Sequence, residues 1–258
     1  MKTNNISLPE HDYLTETRLL HRLTWRDWLF AVVIFAVAVY AQLVIAEHHM
    51  DVYEMAILWG SAAGVVALGW FFKPMQWFVP LSAALAWLSM QAYGGDIARA
   101  EQAFVLKYFL ASQSAIMWLC FFTVMAFVCF AAGLLQAKMR PVNPHHTLLS
   151  IATGFAWTAS VFGLTGLLVR WHESYLLRPD AGHIPVSNLY EVFILFMVIT
   201  ALMYLYYEMV YQTRQMGGFV LLVIAAAVAF LLWYAFERQA HQIQPLIPAL
   251  QSYWMKIH

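Results

Sequence analysis

Seven stretches of about 20 residues, none with Asp, Glu, Lys or Arg near its middle, set the limits on this fold: 28–46, 53–72, 75–93, 109–136, 148–170, 188–209 and 217–236. A helix rises 1.5 Å per residue, so about 20 apolar residues cross the roughly 30 Å of bilayer hydrocarbon. The runs are continuous rather than alternating, which excludes a transmembrane β-barrel. The expectation is an all-α, polytopic transmembrane helical bundle of about seven spans at 28–236, with a leader at 1–27 and a terminal segment at 237–258. The first run is long, follows a polar leader and lacks a small-residue cleavage site, so it is not a signal peptide.

Composition agrees: 62% of residues are hydrophobic, 11% are charged and the mean hydropathy is +0.64. Soluble domains carry about 25% charged residues, so a water-coated globule is excluded. A net charge of +0 leaves no basic footprint for nucleic acid. Cys120 and Cys129 show no CxxC or disulfide pattern and are expected on opposite helix faces as packing residues. With the N-terminus cytoplasmic and the C-terminus periplasmic, Lys and Arg divide eight inside to six outside, and the full charge becomes +3 inside and −3 outside. Charge-free spans weigh against an ion-coupled transporter. The last span has no lysine for a Schiff base, which removes a retinal-type receptor. Gly60-x-x-x-Gly64 fits the close-packing motif of membrane helices, and Gly154, Ser160, Gly163 and Gly166 lighten the fifth span.

Chemistry is expected at the span ends. Neutral imidazole binds haem iron and transition metals. His48, His49, His172, His183, His241 and His258 fall on the outer side of the expected topology. No HxxxH or HxxE spacing supports a helical zinc or di-metal site. The segment 179–191 is stiffened by Pro179, Gly182 and Pro185. Ser187 or Asn188 can cap the next span, and Glu191 falls in its first turn, where the helix dipole favours an anion. Either this is a plain N-cap, or His183, Pro185, Asn188, Tyr190 and Glu191 form a stiff outer platform beside a ligand or partner site. Near the C-terminus, Leu250, Tyr253, Trp254 and Ile257 recur at helical spacing as an interfacial stripe, and His258 shares a face with Trp254. That pattern has no terminator, so the chain is expected to be a shortened form.

Four runs carry a resemblance: Lys107-Tyr-Phe-Leu-Ala-Ser-Gln-Ser-Ala-Ile, Gly166-Leu-Leu-Val-Arg-Trp-His-Glu-Ser-Tyr, Gly182-His-Ile-Pro-Val-Ser-Asn-Leu-Tyr-Glu-Val-Phe, and Pro245-Leu-Ile-Pro-Ala-Leu-Gln-Ser-Tyr-Trp-Met-Lys-Ile-His. The chain resembles c-type cytochrome biogenesis proteins of the CcsA/CcsB (ResC) family, the System II machinery. The resemblance implies presentation of transient b-type haem at the periplasmic face of the bacterial inner membrane. There it is joined to the Cys-x-x-Cys-His thiols of apocytochrome c, with a ResB-like partner in the membrane lipid. It implies that His258, with Trp254 beside it, is one axial ligand to haem iron. The family's Trp-rich motif and second histidine do not occur here, so an N-terminal part without haem lyase activity of its own is expected. The alternatives are a membrane scaffold whose histidines are incidental, and a permease, which the charge-free spans disfavour.

Overall fold

The computed structural model describes residues 23–45, 52–139, 147–177, 182–211, 214 and 216–243. Eight α-helices occur among them: α1 Trp25–Ile45, α2 Val52–Phe71, α3 Met75–Tyr93, the short α4 Arg99–Gln102, α5 Ser112–Met139, α6 Thr147–Leu177, α7 Leu189–Tyr211 and α8 Gly217–Arg238. A five-residue π-helical turn, Leu106–Leu110, precedes α5. No strand is present among the described residues. In a bilayer this is the expected solution, because helices satisfy their own backbone hydrogen bonds where water cannot.

Among the described residues, six helices are long and apolar enough to cross a membrane: α1, α2, α5, α6, α7 and α8. The expected third span forms as α3 but is not one of the six. Gln76, Pro80, Ser82, Ser89 and Gln91 dilute its apolar character. At 31 residues α6 is about 46 Å long, well beyond the hydrocarbon thickness. It therefore continues past the expected boundary at residue 170 and carries His172 within the helix.

The chain divides into two compact units, Met1–Trp77 and Phe78–His258. In the first, α1 packs against α2. Thr24 opens α1, and its backbone N–H donates to the Asp27 carboxylate at 2.7 Å, the return arm of a capping box. Lys73 pairs with the same carboxylate at 2.5 Å, and Gln76 also donates to it. This cap starts the helix at Trp25, inside the segment expected to be leader.

In the second unit α5 packs most extensively against α6, with α7 and α8 completing the bundle. Its core includes Ile116, Phe130, Ala152, Ile194, Met197 and Ile224, each at most 1% exposed. Cys120 is buried in this core at 4% exposure, whereas Cys129 is only partly buried at its edge. The small residues meet different surroundings. A Cβ on Gly60, Gly64 or Gly154 would meet no described atom within 4 Å. At Gly163 a Cβ would press on Val198 of α7 and Leu119 of α5, so α6 approaches both helices closely there. The motif spacing alone does not say which glycine face meets a neighbour.

Substitution separates these positions. Gly60→Ala and Gly64→Ala should leave stability unchanged or raise it by up to about 1 kcal/mol, the helix propensity of alanine over glycine. Gly163→Val forces two stiff neighbours apart and should cost about 1–3 kcal/mol. Denaturation of the detergent-solubilised protein, followed by circular dichroism, reads both.

Candidate functional site at one end of the second unit

The C-terminal ends of α3, α6 and α8 and the N-terminal ends of α5 and α7 come together at one end of this unit. The face of α6 there carries Arg170, Glu173 and Ser174, which share one side of the helix by their i, i+3, i+4 spacing. All three are buried, Arg170 to 1% exposure.

Arg170 forms an ion pair with Glu191 of α7, Nε donating to Oε1 at 2.6 Å, with both side chains 1% exposed. Its Nη1 donates to the His241 carbonyl at 2.8 Å and its Nη2 to the Gln242 carbonyl at 3.4 Å, just after α8 ends. The guanidinium carbon lies 5.3 Å from the centre of the Tyr190 ring, a cation–π contact. Each guanidinium nitrogen is thus engaged.

Glu191 is equally committed. Its Oε2 accepts from the Ser187 backbone N–H and hydroxyl, each at 2.8 Å. Its own backbone N–H donates to Asn188 Oδ1 at 2.9 Å. Asn188 is therefore the N-cap residue of α7, and Ser187 holds the returning carboxylate, a shifted capping box. Three residues along α6, Glu173 accepts from Tyr93 OH at 2.6 Å, the Ser112 N–H at 2.9 Å and the Ser112 hydroxyl at 2.5 Å. One carboxylate thereby joins α3, α5 and α6. The Ser174 hydroxyl donates to the Trp171 carbonyl at 2.7 Å and accepts from the His183 backbone N–H at 3.2 Å.

His183, Pro185, Asn188, Tyr190 and Glu191 lie on the segment that leads into α7 and in its first turn, where Asn188 and Glu191 form the cap. Pro185 is buried, and a turn closes over it through Val186 N–H to Ile184 carbonyl at 2.8 Å. Gly182 stands where a Cβ would strike the Tyr175 ring. Of the other histidines, His172 lies 6.2 Å from Tyr93, ring centre to ring centre, and His241 Nδ1 donates to the Ala235 carbonyl at 3.1 Å. Trp254, His258, His48 and His49 fall outside the described residues. Among the described residues no cluster of three His, Cys, Asp or Glu could hold a metal ion. Arg170, Glu173, Ser174, Tyr93 and Ser112 were not expected at the site. The available signal was the recurrence of polar residues at i, i+3 and i+4 near the end of an apolar run.

Buried polar links at one end of a multi-span helical bundle define a polytopic integral membrane protein with a cross-braced terminal platform. Comparison with known proteins narrows this class. The chain is 34% identical over 121 residues to the cytochrome c biogenesis protein CcsA of Chlorella vulgaris, an alignment covering 43% of the chain and 36% of that protein. It is 31% identical over 94 residues to CcsA of Chlamydomonas reinhardtii, covering 36% of the chain and 25% of the relative. It is 40% identical over 80 residues to CcsA of Synechococcus sp. strain JA-3-3Ab, covering 31% and 23%. Over these partial stretches the chain is similar to CcsA proteins of cytochrome c biogenesis. The matches span a quarter to about a third of the length of the first two relatives. No family model and no solved structure matches the chain.

The ion pair makes a sharp stability prediction. Removing one partner of a buried pair strands the other charge and costs about 3–5 kcal/mol, whereas exchanging both for apolar residues of similar volume is near neutral. Glu191→Ala and Arg170→Met should each lower the melting temperature markedly in detergent. The double variant Arg170→Met with Glu191→Leu should recover most of that loss.

Proposed function

We propose that this chain acts in cytochrome c assembly, presenting haem at the outer face of a bacterial cytoplasmic membrane for attachment to apocytochrome c. Haem is here the cargo. The thiols of a Cys-x-x-Cys-His segment would form thioether bonds to it, and a ResB-like membrane protein would complete the assembly. The observation that carries this reading is the similarity to CcsA proteins from green algae and a cyanobacterium. His258 is the candidate axial ligand, because a neutral imidazole suits haem iron and Trp254, four residues earlier, would share its helical face. His183, Pro185, Asn188, Tyr190 and Glu191 would serve as the rigid platform against which partner and cargo are positioned.

A second reading is a scaffold subunit that binds the ResB-like partner and does not touch haem. It is favoured by the internal satisfaction of the polar end: the three nitrogens of Arg170 and both oxygens of Glu191 are spent inside the protein. Purification in detergent decides between the two. Under the haem reading the protein carries a Soret band that His258→Ala removes. Under the scaffold reading the protein is colourless and still co-purifies with its membrane partner.

A further inference from the structure

A cavity of about 300 Å³ lies between α5, α7 and α8. Leu231 and Phe236 are part of its apolar wall, Cys120 lines it, and three polar side chains border it: Gln113, Tyr190 and His241. Phe236 is 74% exposed, so the cavity borders the outer surface of the bundle, where bilayer lipid lies.

Two of the polar groups are fixed in ways that specify an occupant. Tyr190 is 4% exposed, its ring is held beneath the Arg170 guanidinium, and it lines the cavity. A phenol so placed can both donate and accept. Tyr190 lines the cavity, so its hydroxyl is available there to an occupant. His241 gives its Nδ1 proton to the Ala235 carbonyl, which can only accept. The neutral imidazole then carries a bare lone pair on Nε2, and that atom can only accept. An occupant that satisfies both groups must itself donate a hydrogen bond. Among the described residues no Asp, Glu, Lys or Arg lines the cavity, so they offer an anion or cation no compensating charge there.

Size limits the class further. A cavity of about 150 Å³ takes up one benzene ring, so this one admits a substituted or fused pair of rings, whereas a tetrapyrrole needs roughly twice this space. We propose that the cavity binds an uncharged, hydroxylated aromatic ring from the bilayer, of the phenol or quinol class. Its hydroxyl donates to His241 Nε2, and an oxygen of the same ring accepts from the Tyr190 hydroxyl. This ligand is distinct from the haem cargo, and the site stands whether or not His258 ligates haem.

Cys120 supplies the assay, because its thiol lines the cavity while Cys129 does not. The purified chain in detergent is treated with a small methylating thiol reagent, and modification at each cysteine is followed by mass spectrometry. The probes are 2-naphthol and naphthalene. 2-Naphthol should slow labelling of Cys120 and leave Cys129 unchanged, whereas naphthalene should need a much higher concentration for the same protection. Tyr190→Phe, which keeps the ring under Arg170, and His241→Phe should each raise the half-protecting concentration of 2-naphthol about tenfold, the scale of one lost hydrogen bond, without moving that of naphthalene. Equal protection by the two probes would make the cavity a merely apolar void and overturn the proposal. So would an absence of protection, or a Tyr190→Phe protein with an unchanged melting temperature and an unchanged response.

Discussion

The Arg170–Glu191 pair is the interaction on which the end of the second unit depends. Placing two ions where each side chain is 1% exposed costs several kcal/mol per ion, and Coulomb attraction alone does not reliably offset that. The cost is met because the remaining hydrogen-bonding capacity of both groups is used. Arg170 reaches across to two carbonyls after α8, and Glu191 completes the cap of its own helix. A single contact thereby fixes α6, α7 and the exit of α8 relative to one another. Glu173, one turn further along the same face, extends the bracing to α3 and α5.

The opposite end of this unit uses the same physics with different residues. Glu208 near the end of α7 accepts from Thr153 on α6 at 2.8 Å and pairs with Arg214 at 2.8 Å, and Arg214 also donates to Ser150. Between these two laced ends the bundle is apolar, and close approach at Gly163 sets how tightly its helices pack. Lipid does not drive helices together as water does, so association rests on packing and on such interhelical hydrogen bonds. Polar groups at the ends fix register, and small residues in the middle fix distance.

This division explains what could be read from sequence. The helices were legible because backbone polar groups in hydrocarbon admit few solutions, and the expected boundaries fall within about seven residues of those observed. The cap of α7 was legible because Asn188 and Glu191 act within one turn. Arg170 was not, because its partner lies 21 residues away and the pairing exists only once α6 and α7 pack antiparallel. Charge counting placed both residues on the outer side without pairing them. The Gly60-x-x-x-Gly64 spacing marks a smooth helix face and says nothing of whether another helix lies on it. The same holds for the cysteines, since opposite faces of α5 meet different surroundings and only Cys120 is fully in the core.

The placement of charge bears on how a cargo such as haem would be handled. Haem carries two propionates, and an anion crossing hydrocarbon needs a fixed cation along its path. Among the described residues, the buried ionisable groups are Asp27 at the start of α1, Arg170 and Glu173 in the last turns of α6, Glu191 at the start of α7 and Glu208 near its end. Four of these five are acids, and the one cation is fully engaged by protein acceptors. The described bundle core therefore has no cation free to accompany a propionate. Under the assembly reading, the described helices act as a braced frame. The contacts that hold haem then fall to groups at the ends of the spans, and the apolar cavity beside Tyr190 and His241 remains suited to a smaller and uncharged guest.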